Sequence, residues 1–451
     1  MYLKIPVAFA LCLSVAYAQD KPDTAVIMNR ILQRLDALET ENRQLVEEVH
    51  SLRQELEKAR SSPPASSENA QSNQQALQDR VTTNEHRIAE QSQTKVEASQ
   101  KFPVQLTGML LFNAFLNTGN RENPTSYGLL AGPDRSGATA RQTLLGFNFQ
   151  GPRLPGDGRV NGTLMMDFWS GPSQPGNNWL RLRRANLSLD WANRSFSVGQ
   201  DKPLISPYEP TSLAEVGVPP LAGAGNLWLW LPQAKYEERF RIDESTGITG
   251  QVALLQTDES RSTLPAAYAS SLDKARPALE GRVAFWHKFD DVRRFEIAPG
   301  FHVSTTHVNG QSVNSRIGSV DWLFTPATRL KITGAFYHGQ DISGLGSLNN
   351  GFAFTASGHV VPVHSSGGWM QASFPLTNRL TWNLFGGLED DRSASLDEYS
   401  TVRGLSYASN LIYHLGPNVV LGLEALQLRT RSLSGATDLH NSYDLAIGYL
   451  F

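Results

Sequence analysis

Tyr443-Asp444-Leu445-Ala446-Ile447-Gly448-Tyr449-Leu450-Phe451 is the last stretch of the sequence and decides how the rest is read. Tyr443, Leu445, Ile447, Tyr449 and Phe451 are aromatic or large aliphatic; Asp444, Ala446 and Gly448 between them are charged or small. This is a period-two strand with one apolar face. Such a face needs a cover. A soluble β-sandwich covers it with a second sheet, whereas a transmembrane β-barrel covers it with lipid and lets the last strand close the cylinder. The rest of the chain has to separate these two readings.

The chain has 451 residues, 18% charged, with a mean hydropathy of -0.31. That average is compatible with a barrel, because alternating strands average out and leave no long apolar run. No apolar run of roughly 18 residues occurs, so no transmembrane helix is expected. Residues 1–18 read as a signal peptide: Lys4, an apolar core from Ile5 to Val15, and Ala16-Tyr17-Ala18 at the cleavage site. The one cysteine, Cys12, falls inside it, which leaves the mature chain without a disulfide framework, a thiolate metal site or a thiol nucleophile. The net charge of -3 excludes a bulk basic footprint for nucleic acid.

Met28, Ile31, Leu35, Leu38, Asn42, Leu45, Val49, Leu52, Leu56 and Ala59 alternate spacings of three and four, with Glu, Arg and Gln between them. A periplasmic coiled coil is therefore expected over residues 24–60, with Asn42 at a core position that fixes register or partner number. Residues 61–101 read as a polar linker, with Pro63 and Pro64 near its start and a weak second helical pattern at Leu77, Val81, Ile88 and Val96.

From Phe102 onward the period is two. Strands are expected to begin near residues 104, 141, 158, 180, 194, 233, 246, 278, 293, 313, 328, 367, 378, 401, 418 and 439. Each is close to the ~9–11 residues that a tilted strand needs to cross a bilayer. Short connections (191–194, 244–247, 290–293, 325–328, 376–378, 416–418 and a longer 151–158) interleave with long ones (117–140, 170–178, 201–232, 257–276, 306–312, 339–366, 390–400, 430–438). A sandwich has no reason for this alternation. An outer-membrane barrel has short periplasmic turns and long extracellular loops, and an even strand count leaves both chain ends periplasmic. Trp191, Phe289, Phe324, Phe374, Tyr413 and Phe451 fall near the short turns, where an interfacial girdle belongs. The expected fold is all-β: a 16-stranded antiparallel transmembrane barrel over residues 102–451, behind an α-helical coiled coil.

This architecture resembles the trimeric outer-membrane porins of the DcaP-like and phosphate-selective groups. The run Leu180-Arg181-Leu182-Arg183-Arg184-Ala185-Asn186-Leu187-Ser188-Leu189, followed by Val198-Gly199-Gln200, is similar to the strand-turn-strand that enters their constriction loop. Asp201-Lys202 stands where those porins often carry an aromatic. The resemblance implies a homotrimer among outer-membrane lipids, conducting small hydrophilic solutes through a lumen narrowed by the loop 200–232. That loop carries Lys202, Glu209, Glu215 and the apolar end Leu227-Trp228-Leu229-Trp230.

Strand parity nominates lumen residues independently. Ala234, Tyr236 and Phe240 face one way, so Lys235, Arg239 and Arg241 share the other with Glu237, while Glu238 falls on the apolar side. Val283 and Phe285 leave Glu280, Arg282 and Lys288 inward. Phe295, Ile297 and Phe301 leave Arg294, Glu296 and His302 inward. Leu330, Ile332 and Phe336 leave Lys331 and Tyr337 inward. A charge on the lipid face costs about 2–4 kcal/mol, so the polar face is the lumen. Facing arginines and lysines attract anions and bind carboxylate or phosphate by forked hydrogen bonds. Arg183 and Arg184 join this set, although parity breaks at Arg181–Arg184, as a bulge or an extracellular position would cause. Lumen charges that pair with Glu237, Glu280 and Glu296 would weaken the effect.

No enzyme motif appears, and neither a cofactor nor a metal is expected: the histidines lack ligand spacing, and Gly223-Ala224-Gly225 and Gly344-Leu345-Gly346 lie in expected loops. Two functions follow. One is a passive porin for small, anionic solutes. The other is a structural envelope protein whose barrel anchors a coil that tethers the outer membrane to peptidoglycan or a periplasmic partner. An outer-membrane lipase would need a Ser/His pair on the outer face, for which His364-Ser365-Ser366 is the only nearby cluster.

Overall fold

Alternation of large apolar with small or polar residues carries through nearly every segment from Val104 onward, and each segment is a strand. The computed structural model describes residues 104–119, 135–170, 179–214, 218–259, 266–273, 275–348 and 350–451. The signal peptide, coiled coil and linker expected over 1–101 lie outside the described residues, as does Glu215. The strands belong to one unit, Pro103–Phe451. They are β1 (Val104–Gly119), β2 (Arg135–Thr139), β3 (Leu144–Leu154), β4 (Gly158–Ser170), β5 (Trp179–Asp190), β6 (Arg194–Asp201), β7 (Leu231–Arg241), β8 (Thr246–Asp258), β9 (Ala275–Lys288), β10 (Arg294–Val308), β11 (Gln311–Ala327), β12 (Leu330–Gln340), β13 (Phe352–Phe354), β14 (Val360–Pro362), β15 (His364–Pro375), β16 (Leu380–Arg392), β17 (Thr401–His414), β18 (Val419–Ser432) and β19 (Thr437–Leu450).

β13 and β14 form a small hairpin of their own. The other 17 segments form one sheet. β2 pairs with the upper part of β1 and β3 with its lower part, so these two make a single wall strand interrupted at 140–143. The result is a closed, antiparallel, 16-stranded barrel. Each expected strand start lies within about three residues of an observed one. The ring closes where β19 meets β1, from Met109 opposite Leu450 to Gly119 opposite His440. This pairing sits higher on β1 than the expected span Val104–Leu116, because the register sets Leu450 opposite Met109 on the edge of β1 away from β3. At the lower end of the seam the backbones of Gly108 and Phe451 exchange two hydrogen bonds, at 3.0 and 3.2 Å.

Facing follows parity. On β1, Leu106, Leu110, Phe112 and Leu116 are exposed outward, while Leu111, Asn113 and Phe115 are buried inward. On β19, Tyr443, Leu445, Ile447 and Tyr449 are exposed and Asp444 and Ala446 are buried. Asp444 thus faces the lumen as expected, accepting a hydrogen bond from Ser442 Oγ at 2.9 Å. The short-turn end carries an outward aromatic band: Phe295 meets Phe324 at 5.8 Å, and Phe374 meets Trp382 at 5.3 Å. Trp191 is fixed in its turn by an Nε1–H bond of 3.0 Å to the Pro155 carbonyl.

The interior is not an empty tube. Leu204, Ile205 and Leu227, from the connection between β6 and β7, pack with Leu231, Leu255, Tyr337, Ile342 and Leu345 into the largest apolar cluster among the described residues.

Candidate functional site

The connection from Lys202 to Trp230 runs inside the barrel. The Leu204 backbone N–H donates to Glu280 Oε2 on β9 at 2.6 Å, and Tyr208 Oη donates to Glu296 Oε1 on β10 at 3.0 Å. Further on, Thr211 N–H donates to Gln371 Oε1 on β15 at 2.6 Å, and Asn410 Nδ2 on β17 donates to the Thr211 carbonyl at 2.8 Å. Asn113 Nδ2 on β1 donates to the Leu213 carbonyl at 2.6 Å. The loop therefore leans on inward side chains from β9 round to β1. Its return limb holds Gly223 and Gly225, both at positive φ, against Gly404 and Gly368 of the wall.

The remaining wall, β4 to β6, faces this loop with charge. Met165 pairs with Arg184 and Met166 with Leu182, so Arg183 is an extra residue, a β-bulge. The bulge resets the alternation and turns consecutive arginines inward. Of the two explanations for the parity break, the structure has the bulge. Arg181 holds Asp167 by a forked pair of 3.0 and 2.5 Å, and Arg183 lies 3.8 Å from the same carboxylate. Arg184 meets Asp201 at 2.7 Å. Lys202 meets Glu209 of the loop at 2.5 Å. The Arg183 and Arg181 guanidinium groups sit 4.6 and 5.4 Å from the ring of Trp230. Four cations thus share three carboxylates over one aromatic platform.

Protonation at the loop follows from this packing. Burial would raise the Glu209 carboxyl, but Lys202, through its charge and hydrogen bond, together with Arg183 and Arg184, outweighs burial and holds it below its ordinary 4.5. Burial pulls the Lys202 ammonium below its ordinary 10.5, and Glu209 opposes that.

The other expected residues divide into two groups. Arg282 is only 6% exposed and fully engaged: Nε and Nη2 fork onto Asp321 at 2.8 and 2.6 Å, Nη2 also reaches Glu296 at 2.8 Å, and Nη1 reaches Gln251 at 3.1 Å. A guanidinium so occupied fixes the wall and has no free edge for a solute. Arg239 is paired with Glu237 at 2.7 Å near the short-turn end, below the loop. The second group is open. Arg241, Lys288, Arg294 and Lys331 are all exposed, and no carboxylate lies within 4.0 Å of them among the described residues. Lys288 and Arg294 stand directly opposite each other on β9 and β10, and Lys331 is close enough to feel Arg294. They occupy strand ends beside the short turns. Lys235 stands higher on β7, half-buried, between Ser197 and Ala253. Glu238, expected on the apolar face, does point outward and accepts a hydrogen bond from Tyr236 Oη.

The sequence reading missed the role of the inward carboxylates as sockets for loop backbone, Glu280 above all. It also missed one outer-face contact: His338 Nδ1 and Ser366 Oγ lie 2.7 Å apart on the outside of β12 and β15. An acyl-transfer site also needs a group that orients the histidine, and no such partner of His338 occurs among the described residues. No cluster of three or more metal-ligating side chains occurs among the described residues.

The fold has clear counterparts. The outer membrane channel DcaP of Acinetobacter baumannii superposes with a TM-score of 0.63 at 18% identity, covering 77% of this chain and 97% of that one. An anion-selective porin from Comamonas acidovorans gives 0.51 at 14% identity, covering 77% and 99%. OmpF of Salmonella typhi, in complex with daunomycin, gives 0.52 at 11% identity, covering 77% and 97%. The chain has the fold of the outer-membrane porins. No family model matches the sequence, and no curated protein sequence does.

Proposed function

We propose that the protein is a passive diffusion porin of the outer membrane, selective for small hydrophilic anions of the carboxylate or phosphate type. The observation that carries this reading is the excess of cations along the solute path. Arg181, Arg183, Arg184 and Lys202 outnumber Asp167, Asp201 and Glu209 where the loop approaches β5. Arg241, Lys288, Arg294 and Lys331 then line the short-turn end without acidic partners among the described residues. Between low-dielectric walls such an excess raises local anion concentration, and the planar guanidinium groups offer forked donors to a carboxylate. Trp230 gives the apolar part of an organic anion a surface to slide on. Arg282 and Arg239 take no part in this path. The DcaP channel and the anion-selective porin support the reading through their fold alone. A homotrimer joined by the coil of residues 24–60 belongs to the same proposal.

Purified protein in a planar bilayer under a salt gradient should give stable steps with a reversal potential on the anion side. R183Q/R184Q should move that potential toward zero, and K288Q/R294Q should reduce anion conductance at low salt. A closed barrel, or a cation-selective reversal potential in the unmodified protein, would sink the proposal.

A further inference from the structure

Arg403 on β17 and Arg431 on β18 stand directly opposite each other. Both alternate with buried, inward residues, Gly404 and Thr430, so both point away from the lumen. Arg429, also outward, lies one step below Arg431, opposite Leu405. Like charges directly opposite on one face of a sheet repel, so this arrangement is costly unless something anionic sits over it. Among the described residues no carboxylate comes within 4.0 Å of any of the three. Asp390 stands opposite Arg403 on its other side, on β16, but its carboxylate is directed to Arg392 at 3.8 Å.

The site is built rather than incidental. Arg429 Nε donates to Gln427 Oε1 at 2.8 Å and Nη2 reaches Tyr407 Oη at 3.5 Å. Tyr407 Oη donates to the same Gln427 oxygen, and Gln427 Nε2 donates to Asn441 Oδ1 at 2.7 Å. One guanidinium is therefore held in place, with part of its donor fork left over, beside two more.

Height selects the ligand. Below the arginines the outward residues of β17 are Leu405, Tyr407, Ser409, Leu411 and Tyr413. Arg403 is ten residues up from Tyr413, roughly 24 Å along the membrane normal at a ~3.4 Å rise and a ~45° tilt. That is about the height of the apolar belt of an outer-membrane barrel. The three guanidinium groups therefore sit at the level of the outer-leaflet headgroups, facing lipid, where no solute in the lumen can reach them. We propose that Arg403, Arg429 and Arg431 form an external site for the phosphate groups of an outer-leaflet glycolipid. The inference rests on the outer-membrane placement above. Forked guanidinium–phosphate bonds would cancel the Arg403–Arg431 repulsion and leave the channel itself unaffected.

The test uses the full chain in neutral detergent with three probes at equal phosphate-equivalent concentration: bis-phosphorylated lipid A, the same glycolipid stripped of both phosphates, and inorganic phosphate. Bound lipid is read by native mass spectrometry and barrel melting by heat-dependent gel mobility. Lipid A should bind and raise the melting midpoint; the other two should not. R403Q/R431Q should bind lipid A roughly thirtyfold more weakly, near one factor of five per arginine at an anionic surface. Without lipid this variant should melt no lower than the original protein, because the opposed charges are gone, and its single-channel conductance should be unchanged. R429Q, which keeps the opposed pair, is the second variant and should also lose lipid affinity. Equal binding of the dephosphorylated glycolipid, undiminished lipid A binding in both variants, or an equal shift with inorganic phosphate would each overturn the proposal. Loss of conductance in the original protein would instead count against the porin reading.

Discussion

At the residue scale, Glu209 decides how much of the basic eyelet is open to solute. Its carboxylate takes up Lys202 and sits in the field of Arg183 and Arg184. Because its folded pKa lies below the ordinary 4.5, the pair contributes its full anchoring above that value and loses it as pH falls through the depressed folded value. Anion preference should therefore be flat from neutral pH down to 4.5 and rise in stronger acid, as Lys202 loses its counter-charge. E209Q should show the raised preference already at neutral pH. Reversal potentials of both proteins, taken from about pH 7 down to about pH 3, test this, with E209Q as the variant in which position 209 cannot change its charge. Coinciding curves would refute it. Strand alternation groups Lys235, Arg239, Arg282, Arg294 and Lys331 on the face expected to be the lumen, but parity cannot report pairing. Arg282 and Arg294 look alike in the sequence; Asp321, two strands away in the wall, makes one a structural strut, and its absence near the other leaves that one open. Arg183 was readable only as a break in period, because a bulge moves one residue without leaving a motif.

At the element scale, the lumenal loop is held where backbone meets backbone. A Cβ on Gly404 would lie 2.0 Å from the Gly223 carbonyl oxygen, and one on Gly387 would lie 2.2 Å from the Ala224 carbonyl oxygen. Both glycines face inward on adjacent strands, β16 and β17, and make a notch for the return limb of the loop. Gly223-Ala224-Gly225, a loop glycine pair without a dinucleotide context, takes its meaning from that notch. The path could not be read from the sequence, because the residues that fix it, Glu280, Gln371, Asn410 and Gly404, are scattered over the chain. G404V should expel this limb or strain it, costing about 1–3 kcal/mol as overpacking does. The expected readouts are a larger single-channel conductance and weaker anion preference, at a lower melting midpoint. Gly318, where an added Cβ meets nothing within 4 Å, provides the control: G318V should conduct as the original protein does. Unchanged conductance in G404V would mean that the notch does not hold the loop.

At the scale of the whole molecule, the fold was legible because lipid imposes two regularities at once. Alternation marks each strand, and the asymmetry between the two sides of the membrane marks the connections. Every pairing in the ring, from β1 against β3 round to β18 against β19 and back to β1, lies within Val104–Leu450. Among the described residues the ring is thus complete in itself, and the heptad expected over residues 24–60 belongs to the proposal of a trimer. If that heptad joins three chains, its loss should separate assembly from conduction. Protein lacking residues 24–60 should still show the heat-dependent gel mobility of a closed barrel and the same reversal potential. Its oligomer should dissociate at lower detergent or temperature stress than that of the full chain, and channels should appear singly instead of in groups of three. Light scattering in detergent and counting of simultaneous bilayer steps measure this. An undiminished oligomer would place the subunit contact on the barrel wall and leave the coil free for a periplasmic partner. A barrel that fails to close would mean that residues 24–60 act during folding, which the seam between Gly108 and Phe451 gives no reason to expect.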